Sequence, residues 1–498
     1  MINDHLSTTL GYFQNDGAEF VVTEQWPLRP LVNYFWNSQF IAGVSHLGGG
    51  EGTYKDRTLQ YIAEKELSAG VEKFHAAGGL ALVMRPQTGE ILAMAQTPCI
   101  DPNRYGKFDE YARRNRQVTD LLEPGSTFKI FIAAAALDSH VVKAGDKFHC
   151  ENGHWRLGAK EVIHDVHPYG TLTVQQVIQK SSNIGTAKIS HKLGPKRLDQ
   201  YLHEFGFGRR TGILFPGETP GLVKNLVKTR SLIDRTTVAF GQGVSVTPLQ
   251  MTAALSAIGN GGVLMEPHLV KEIDSPQGKI IQEYPPHPVR RVLSQQTASQ
   301  MMAIMEMVTQ PGGTAKEAVP PGFTVAGKTG TAQKIVGRAY SHSKFNALFI
   351  GLIPADNPVL AITVIVDEPR GAIFGGVVAA PIFREIAAQS LRVMGYYPKE
   401  PPKDKNEPVL ARMLASPAAA ATGPAVDFTP PQLEIPPGPL TVMPDVRGYT
   451  IRQVLALLNR SGLHCRFEGS GMAVSQEPAP GTAITPGATC VVKFKSGA

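Results

Sequence analysis

The chain has 498 residues, 49 Lys and Arg against 42 Asp and Glu for a formal charge of +7, and is 42% hydrophobic and 18% charged. These values exclude a disordered chain, a coiled coil and a small disulfide scaffold; at roughly 100–200 residues per domain they suggest about three folding units. The mild basic balance comes without a block of Lys and Arg, so no nucleic-acid footprint is indicated.

The elements follow in chain order. Residues 1–56 stand apart: Arg29 is the only basic residue before position 55, against Asp4, Asp16, Glu19, Glu24 and Glu51, and no periodicity is visible. A helix is predicted at about 57–76, with Leu59, Ile62, Ala63, Leu67 and Val71 on one face. Apolar runs at 80–84 and 91–95, joined by Pro86-Gln87-Thr88-Gly89, predict a hairpin. A buried helix is expected from Ser126 onward, and one further helix over 173–193. Strand-like runs return at 323–326, 345–353 and 359–366, and a last helix closes near 395. This order reads as an α+β fold, an antiparallel sheet flanked by helices, over 57–398.

Residues 399–440 are rich in Pro and Ala, which predicts an extended linker. The remaining 441–498 read as a small βαββ unit: a run at 441–446, a helix at 451–458 and strands at 463–468 and 489–495. Four cysteines, Cys99, Cys150, Cys465 and Cys490, are too few for a disulfide framework and contain no C-x-x-C. Cys465 and Cys490 fall on separate strands, and pairing or two buried thiols both remain open. Neither an apolar run of about 18 residues nor an export signal is visible.

Two strings invite other readings. GFTVAGKT at 322–329 fits the phosphate-loop pattern, and an apolar run ending in Asp367 and Glu368 follows it. Yet Val319-Pro320-Pro321 is no strand, 323–326 is itself strand-like, and Gly330 is a poor start for a helix, so a nucleotide site is disfavoured. His149, Cys150, His154, His164, Asp165 and His167 cluster in sequence, but their spacing matches no closed zinc site, and a turn-rich stretch of satisfied histidines is the preferred reading. No metal ligand and no cofactor is assigned.

Three short motifs occur in order: Ser126-Thr127-Phe128-Lys129, Ser181-Ser182-Asn183 and Lys328-Thr329-Gly330-Thr331. Each alone is weak. Ser126 alone would be a helix cap. Lys129, three residues on, shares its face. Inside an apolar helix its charge is costly, so a neutral Lys129 amine can take the Ser126 proton. Ser181 would relay a proton to a leaving amine, and Asn183 would fix the lysine and meet a substrate amide. Lys328 would supply positive charge, Thr329 and Thr331 hydroxyls, and Gly330 room for a substrate backbone. The backbone N–H groups of Ser126 and Thr331 would form an oxyanion hole.

With EPGSTFKIF, KSSNIG and AGKTGTAQ in place, residues of about 57–396 resemble a penicillin-binding protein, and GQGVSVTPLQ at 241–250 resembles a segment of the class B, septal division-type members. The tail, from Met443-Pro-Asp-Val-Arg-Gly448 to the turn at 476–481, resembles one PASTA module. The resemblance implies a D,D-transpeptidase that forms an acyl-enzyme at Ser126 with D-Ala-D-Ala stem peptides of peptidoglycan, binds β-lactams, and works on the extracytoplasmic side of the membrane. It implies a division glycosyltransferase and other divisome proteins as partners. Family members begin with a cytoplasmic tail, one membrane helix and a non-catalytic domain; none is visible here, which leaves a truncated or mis-started reading frame open. The rival readings are a D,D-carboxypeptidase, a serine β-lactamase and a non-enzymatic peptidoglycan sensor. No E-x-x-x-N string follows Asn183, and the stretch to Lys328 is long for a lactamase.

Overall fold

In a computed structural model of the chain, the described residues are 52–398, apart from 101–105, 159–160, 214, 216, 275–279 and 338, together with 442–449, 454, 458, 464–468, 472–484 and 489–495. The N-terminal segment to residue 51, the linker 399–440 and all of the expected helix at 451–458 except Val454 and Leu458 lie outside them. The chain divides into two compact units, Met1–Lys403 and Asp404–Ala498.

The first unit runs α1 (Gly52–Lys73), β1 (Gly78–Met84), β2 (Ile91–Thr97), α2 (Lys129–Asp138), β3 (His154–Arg156), β4 (Val162–His164), α3 (Val174–Lys180), α4 (Asn183–Leu193), α5 (Pro248–Gly259), β5 (Ala326–Val336), β6 (Ala339–Ile353), β7 (Leu360–Asp367) and α6 (Gly375–Val393), with shorter turns between. The sheet order is β5-β6-β7-β1-β2, antiparallel throughout. All of β1 and β7 is buried, as a sheet covered on both faces requires. The α1 stripe of Leu59, Ile62, Ala63, Leu67 and Val71 is buried as its spacing predicts. Helices α1 and α6 pack on each other and on the sheet, and α5 packs on β1 and β7.

Three elements differ from the sequence reading. The helix expected from Ser126 begins as a 3₁₀ turn, Gly125–Phe128, and becomes α-helical at Lys129. The single helix expected over 173–193 is two: α3 ends at Ser181, which adopts φ +60°, and Ser182 caps α4 through its Oγ, which accepts from Gly185 N at 2.9 Å. The strand expected at 323–326 starts only at Ala326, so Lys328 lies within β5 rather than after it. Pro320 and Pro321 carry no N–H to donate, and Phe323 N instead closes a turn onto Pro320 O at 3.2 Å. GFTVAGKT therefore enters a sheet strand with no helix behind it, which removes the geometry of a phosphate loop. Asp367 is committed to Lys334 at 2.7 Å and Arg116 at 3.2 Å.

The second unit contains β8 (His464–Glu468), β9 (Met472–Glu477) and β10 (Thr489–Lys495) in the order β8-β10-β9. β8 and β10 run parallel, with Cys465 opposite Cys490 in the register. The sequence reading missed β9. The run at 441–446 gives only an isolated bridge, Val442 to Ala483, because Pro444 interrupts it. Met443, Val446, Val454, Leu458, Ala473, Cys490, Val492 and Phe494 form a core of their own. No helix among the described residues is long and apolar enough to cross a membrane.

The α6–sheet contact centres on Phe383, fully buried edge-to-face on Phe349 at 4.8 Å, in space left by Gly351. Phe383→Ala is expected to cost about 3–5 kcal/mol, read as a lowered urea midpoint.

Candidate active site

The three motifs converge. The 3₁₀ turn Gly125–Phe128 lies against β5, and the α3–α4 junction lies beside α2. The Lys129 N–H donates to Ser126 O, so the two residues stand one turn apart, and in a 3₁₀ turn side chains at i and i+3 eclipse. Ser126 is partly exposed while Thr127, Phe128 and Lys129 are buried. Ser126 is not a helix cap: the capping residue of α2 is Phe128, without a side-chain bond.

Lys129 and Lys328 are both completely buried. Lys129 Nζ donates to Ser181 O at 2.5 Å and to Ser181 Oγ at 3.3 Å, and Lys328 Nζ donates to the same Oγ at 2.9 Å and to Thr329 O at 3.1 Å. One hydroxyl thus sits between two amines. Burial lowers the Lys129 pKa to about 7, opposed by the negative charge of Asp165. Burial also drives Lys328 well below the ordinary lysine value, with the neighbouring Lys129 adding to the effect. Lys328 is thus a buried amine whose pKa is pushed down, and a carboxylate beside it would favour its charged form.

The left-handed turn at Ser181 explains the geometry. It ends α3 early and turns the Ser181 carbonyl and hydroxyl together onto Lys129. Such a conformation costs a non-glycine residue about 1–3 kcal/mol and persists where the surroundings impose it. The residues that follow are held by Asp165, which sequence reasoning weighed only as a metal ligand. Its Oδ2 accepts from Ser182 Oγ at 2.5 Å, and its Oδ1 accepts from the backbone N–H of Asn183 at 2.5 Å and of Ile184 at 3.1 Å. A carboxylate there also suits the positive end of α4. No local signal links residues this far apart in sequence.

Asn183 does not reach Lys129. Its Nδ2 donates to His164 O at 2.7 Å, because the Asp165 brace sets it against β4. Thr329 Oγ1 pairs with Thr314 Oγ1 at 2.8 Å, and Thr331 Oγ1 accepts from Gly375 N at 3.4 Å. Gly330 has a second reason to be glycine: a Cβ there would lie 2.8 Å from Thr127 Cγ2 and 3.2 Å from Pro124 O, so the serine turn itself needs the space. A Cβ on Gly125 would lie 3.2 Å from Thr331 O, so the two segments expected to supply oxyanion donors are in contact.

Behind the serine, Gly125 N donates to Gly241 O at 3.2 Å, and Leu122 and Val246 exchange two backbone bonds at 2.9 and 3.0 Å. Glu123 Oε1 accepts from Gly243 N at 2.7 Å and from Tyr340 Oη at 3.1 Å. The segment at 241–250 is thus the backing of the serine turn. The histidine-rich stretch disperses: His149 meets Thr171, Cys150 points to Phe148 O, and His167 stacks on Tyr169, while His154 and His164 face each other.

Asp165→Ala removes an acceptor for three donors at the start of α4. It is expected to lower stability by about 1–2 kcal/mol, the scale of a lost cap, measured by urea unfolding.

Comparison with known proteins agrees with this arrangement. The family described as penicillin binding protein transpeptidase domain matches residues 79–388, and the PASTA domain family matches 441–495. A probable peptidoglycan D,D-transpeptidase PenA of Neisseria meningitidis is 40% identical over 347 residues, covering 70% of this chain and 57% of that protein. Stage V sporulation protein D of Bacillus subtilis is 40% identical over 350 residues, covering 69% of this chain and 54% of that one. The chain thus spans little more than half the length of these curated relatives. The apo transpeptidase domain of Burkholderia pseudomallei penicillin-binding protein 3 superposes with a TM-score of 0.61 at 37% identity, covering 69% of this chain and 96% of that structure. The fold, the three convergent motifs and the family match together make this chain a member of the penicillin-binding protein transpeptidase family, with a PASTA domain following in sequence at 441–495.

Proposed function

We propose that the chain is a serine-type peptidoglycan D,D-transpeptidase that cross-links stem peptides through an acyl-enzyme on Ser126 and is acylated by β-lactams. The observation that carries this is Ser181 Oγ held between the buried amines of Lys129 and Lys328, with Lys129 poised at a pKa of about 7. A base working near neutral pH needs a pKa of that order.

Neutral Lys129 takes the proton of Ser126 as its Oγ attacks the penultimate D-Ala carbonyl. The oxyanion is met by the backbone N–H groups of Ser126 and Thr331. Collapse breaks the amide C–N bond, and the departing D-Ala amine takes a proton through Ser181 Oγ, resupplied by the lysines. An acceptor amine then attacks the ester and gives its proton to Lys129; collapse breaks the ester C–O bond, and Lys129 returns that proton to the departing Ser126 Oγ. Lys328, charged once a carboxylate is present, Thr329 and Thr331 hold the substrate carboxylate. Asn183 leaves His164 O to meet the substrate amide.

The domain assignment that goes with this reading is 57–398 for the transpeptidase, 399–440 for the linker and 441–498 for the PASTA module. The extracytoplasmic face of the plasma membrane is the place where the substrate occurs. A glycosyltransferase of the division machinery supplies the nascent strands, and septal wall synthesis is the process that the segment at 241–250 favours.

A fluorescent penicillin is expected to label the chain stoichiometrically and persistently, and Ser126→Ala to abolish labelling. Rapid turnover of the adduct would instead indicate a lactamase. The acylation rate is expected to rise with pH through about 7, as Lys129 loses its proton. The Asp165 charge favours protonated Lys129, so Asp165→Asn lowers that pKa. The rising limb of the pH–rate profile then moves to lower pH, measured with a chromogenic cephalosporin.

A further inference from the structure

The histidines of β3 and β4 have no part in the acyl-transfer scheme, yet two of them are placed together. His154 and His164 are directly opposed in the β3–β4 register, both exposed, with their Nδ1 atoms 2.9 Å apart and their rings at 84°. A ligating imidazole sits about 2.0–2.1 Å from a zinc-like ion, so two nitrogens at adjacent corners of its coordination sphere lie about 2.9–3.4 Å apart. The observed separation already falls at the short end of that range, the one for ligands at right angles.

We propose that His154 and His164 form a two-histidine chelate for a divalent transition-metal ion of the zinc, nickel or copper class, and that its occupancy slows acylation at Ser126. Imidazole nitrogens select these ions over calcium or magnesium. No group of three or more His, Cys, Asp or Glu side chains among the described residues gathers into a metal site, so the chelate offers two protein ligands and the remaining positions would fall to water. The link to the active site is short. The His164 carbonyl holds Asn183 Nδ2 at 2.7 Å, and the next residue, Asp165, braces the start of α4. An ion tying β3 to β4 stiffens the strand from which Asn183 must part to meet substrate. This second half rests on the acylation reading above.

Isothermal titration of the full untagged chain with zinc chloride and with nickel chloride tests the site. One equivalent is expected to bind, about tenfold or more weaker in His154→Gln and in His164→Gln, and unchanged in His149→Gln. Both histidines are exposed on a hairpin, and penicillin labelling of the variants checks that they fold. Absence of binding, or binding unchanged in both variants, overturns the site and leaves a plain imidazole–imidazole hydrogen bond. Saturating zinc is expected to slow labelling of the parent chain several-fold and not that of His154→Gln; an unchanged parent rate overturns the coupling. Failure of the parent chain to label without metal would sink the acylation reading, while the calorimetry still decides the site.

Discussion

Two lysine amines taken wholly out of water around a single serine hydroxyl set the terms for everything near the active site. An isolated ammonium in such surroundings costs far more than its hydrogen bonds return, so burial pulls both lysine pKa values down. The same hydroxyl then serves as acceptor for two donors and as a conduit between them. This arrangement works only if Ser181 is presented with both its oxygens toward Lys129. The left-handed turn at that residue and the Asp165 brace are its structural consequences.

The second constraint is close packing of backbone. The serine turn is pressed between β5 and the segment at 241–250. Gly241 has φ +77°, and a Cβ there would fall 2.3 Å from Gly125 O. Gly330 meets Thr127 and Pro124 from the other side. Side chains at these positions would push Ser126 away from β5, and a displacement on the order of 1 Å costs about 10²-fold in rate. The glycines around Ser126 are therefore explained by the protein's own packing before any substrate is considered.

These two constraints also mark what the sequence could and could not disclose. Apolar periodicity carried α1, the β1–β2 hairpin and the strands β6 and β7, because each is a local pattern of burial. The three motifs were legible because their patterns are local: Lys129 one turn from Ser126, Ser181 and Asn183 two residues apart, Lys328 next to Thr329, Gly330 and Thr331. What stayed hidden was non-local. The polar residues at 181–183 allow a helix end or break as well as one continuous helix, but the carboxylate that holds Ser182, Asn183 and Ile184 there, Asp165, comes from outside that stretch. The start of β5 was misplaced because 323–326 has strand-like residues, while pairing is decided by the reach of β6, where Ala326 meets Leu352. Asp165 was read as part of a histidine cluster because proximity in sequence was the only available cue.

Asp165 carries a compromise. Its carboxylate raises the Lys129 pKa that burial lowers, so on electrostatic grounds alone the base would be better off without it. It is retained within reach because it ends two structural problems at once, satisfying the free N–H groups at the start of α4 and holding Ser182 beside the strained Ser181. The result is a pKa of about 7 rather than one lower still, which leaves the amine able both to take a proton and to give it back near neutral pH. A stronger desolvation would have made a weaker base; a closer anion would have kept it protonated. Burial is the larger of the two influences, and the hairpin aspartate opposes it.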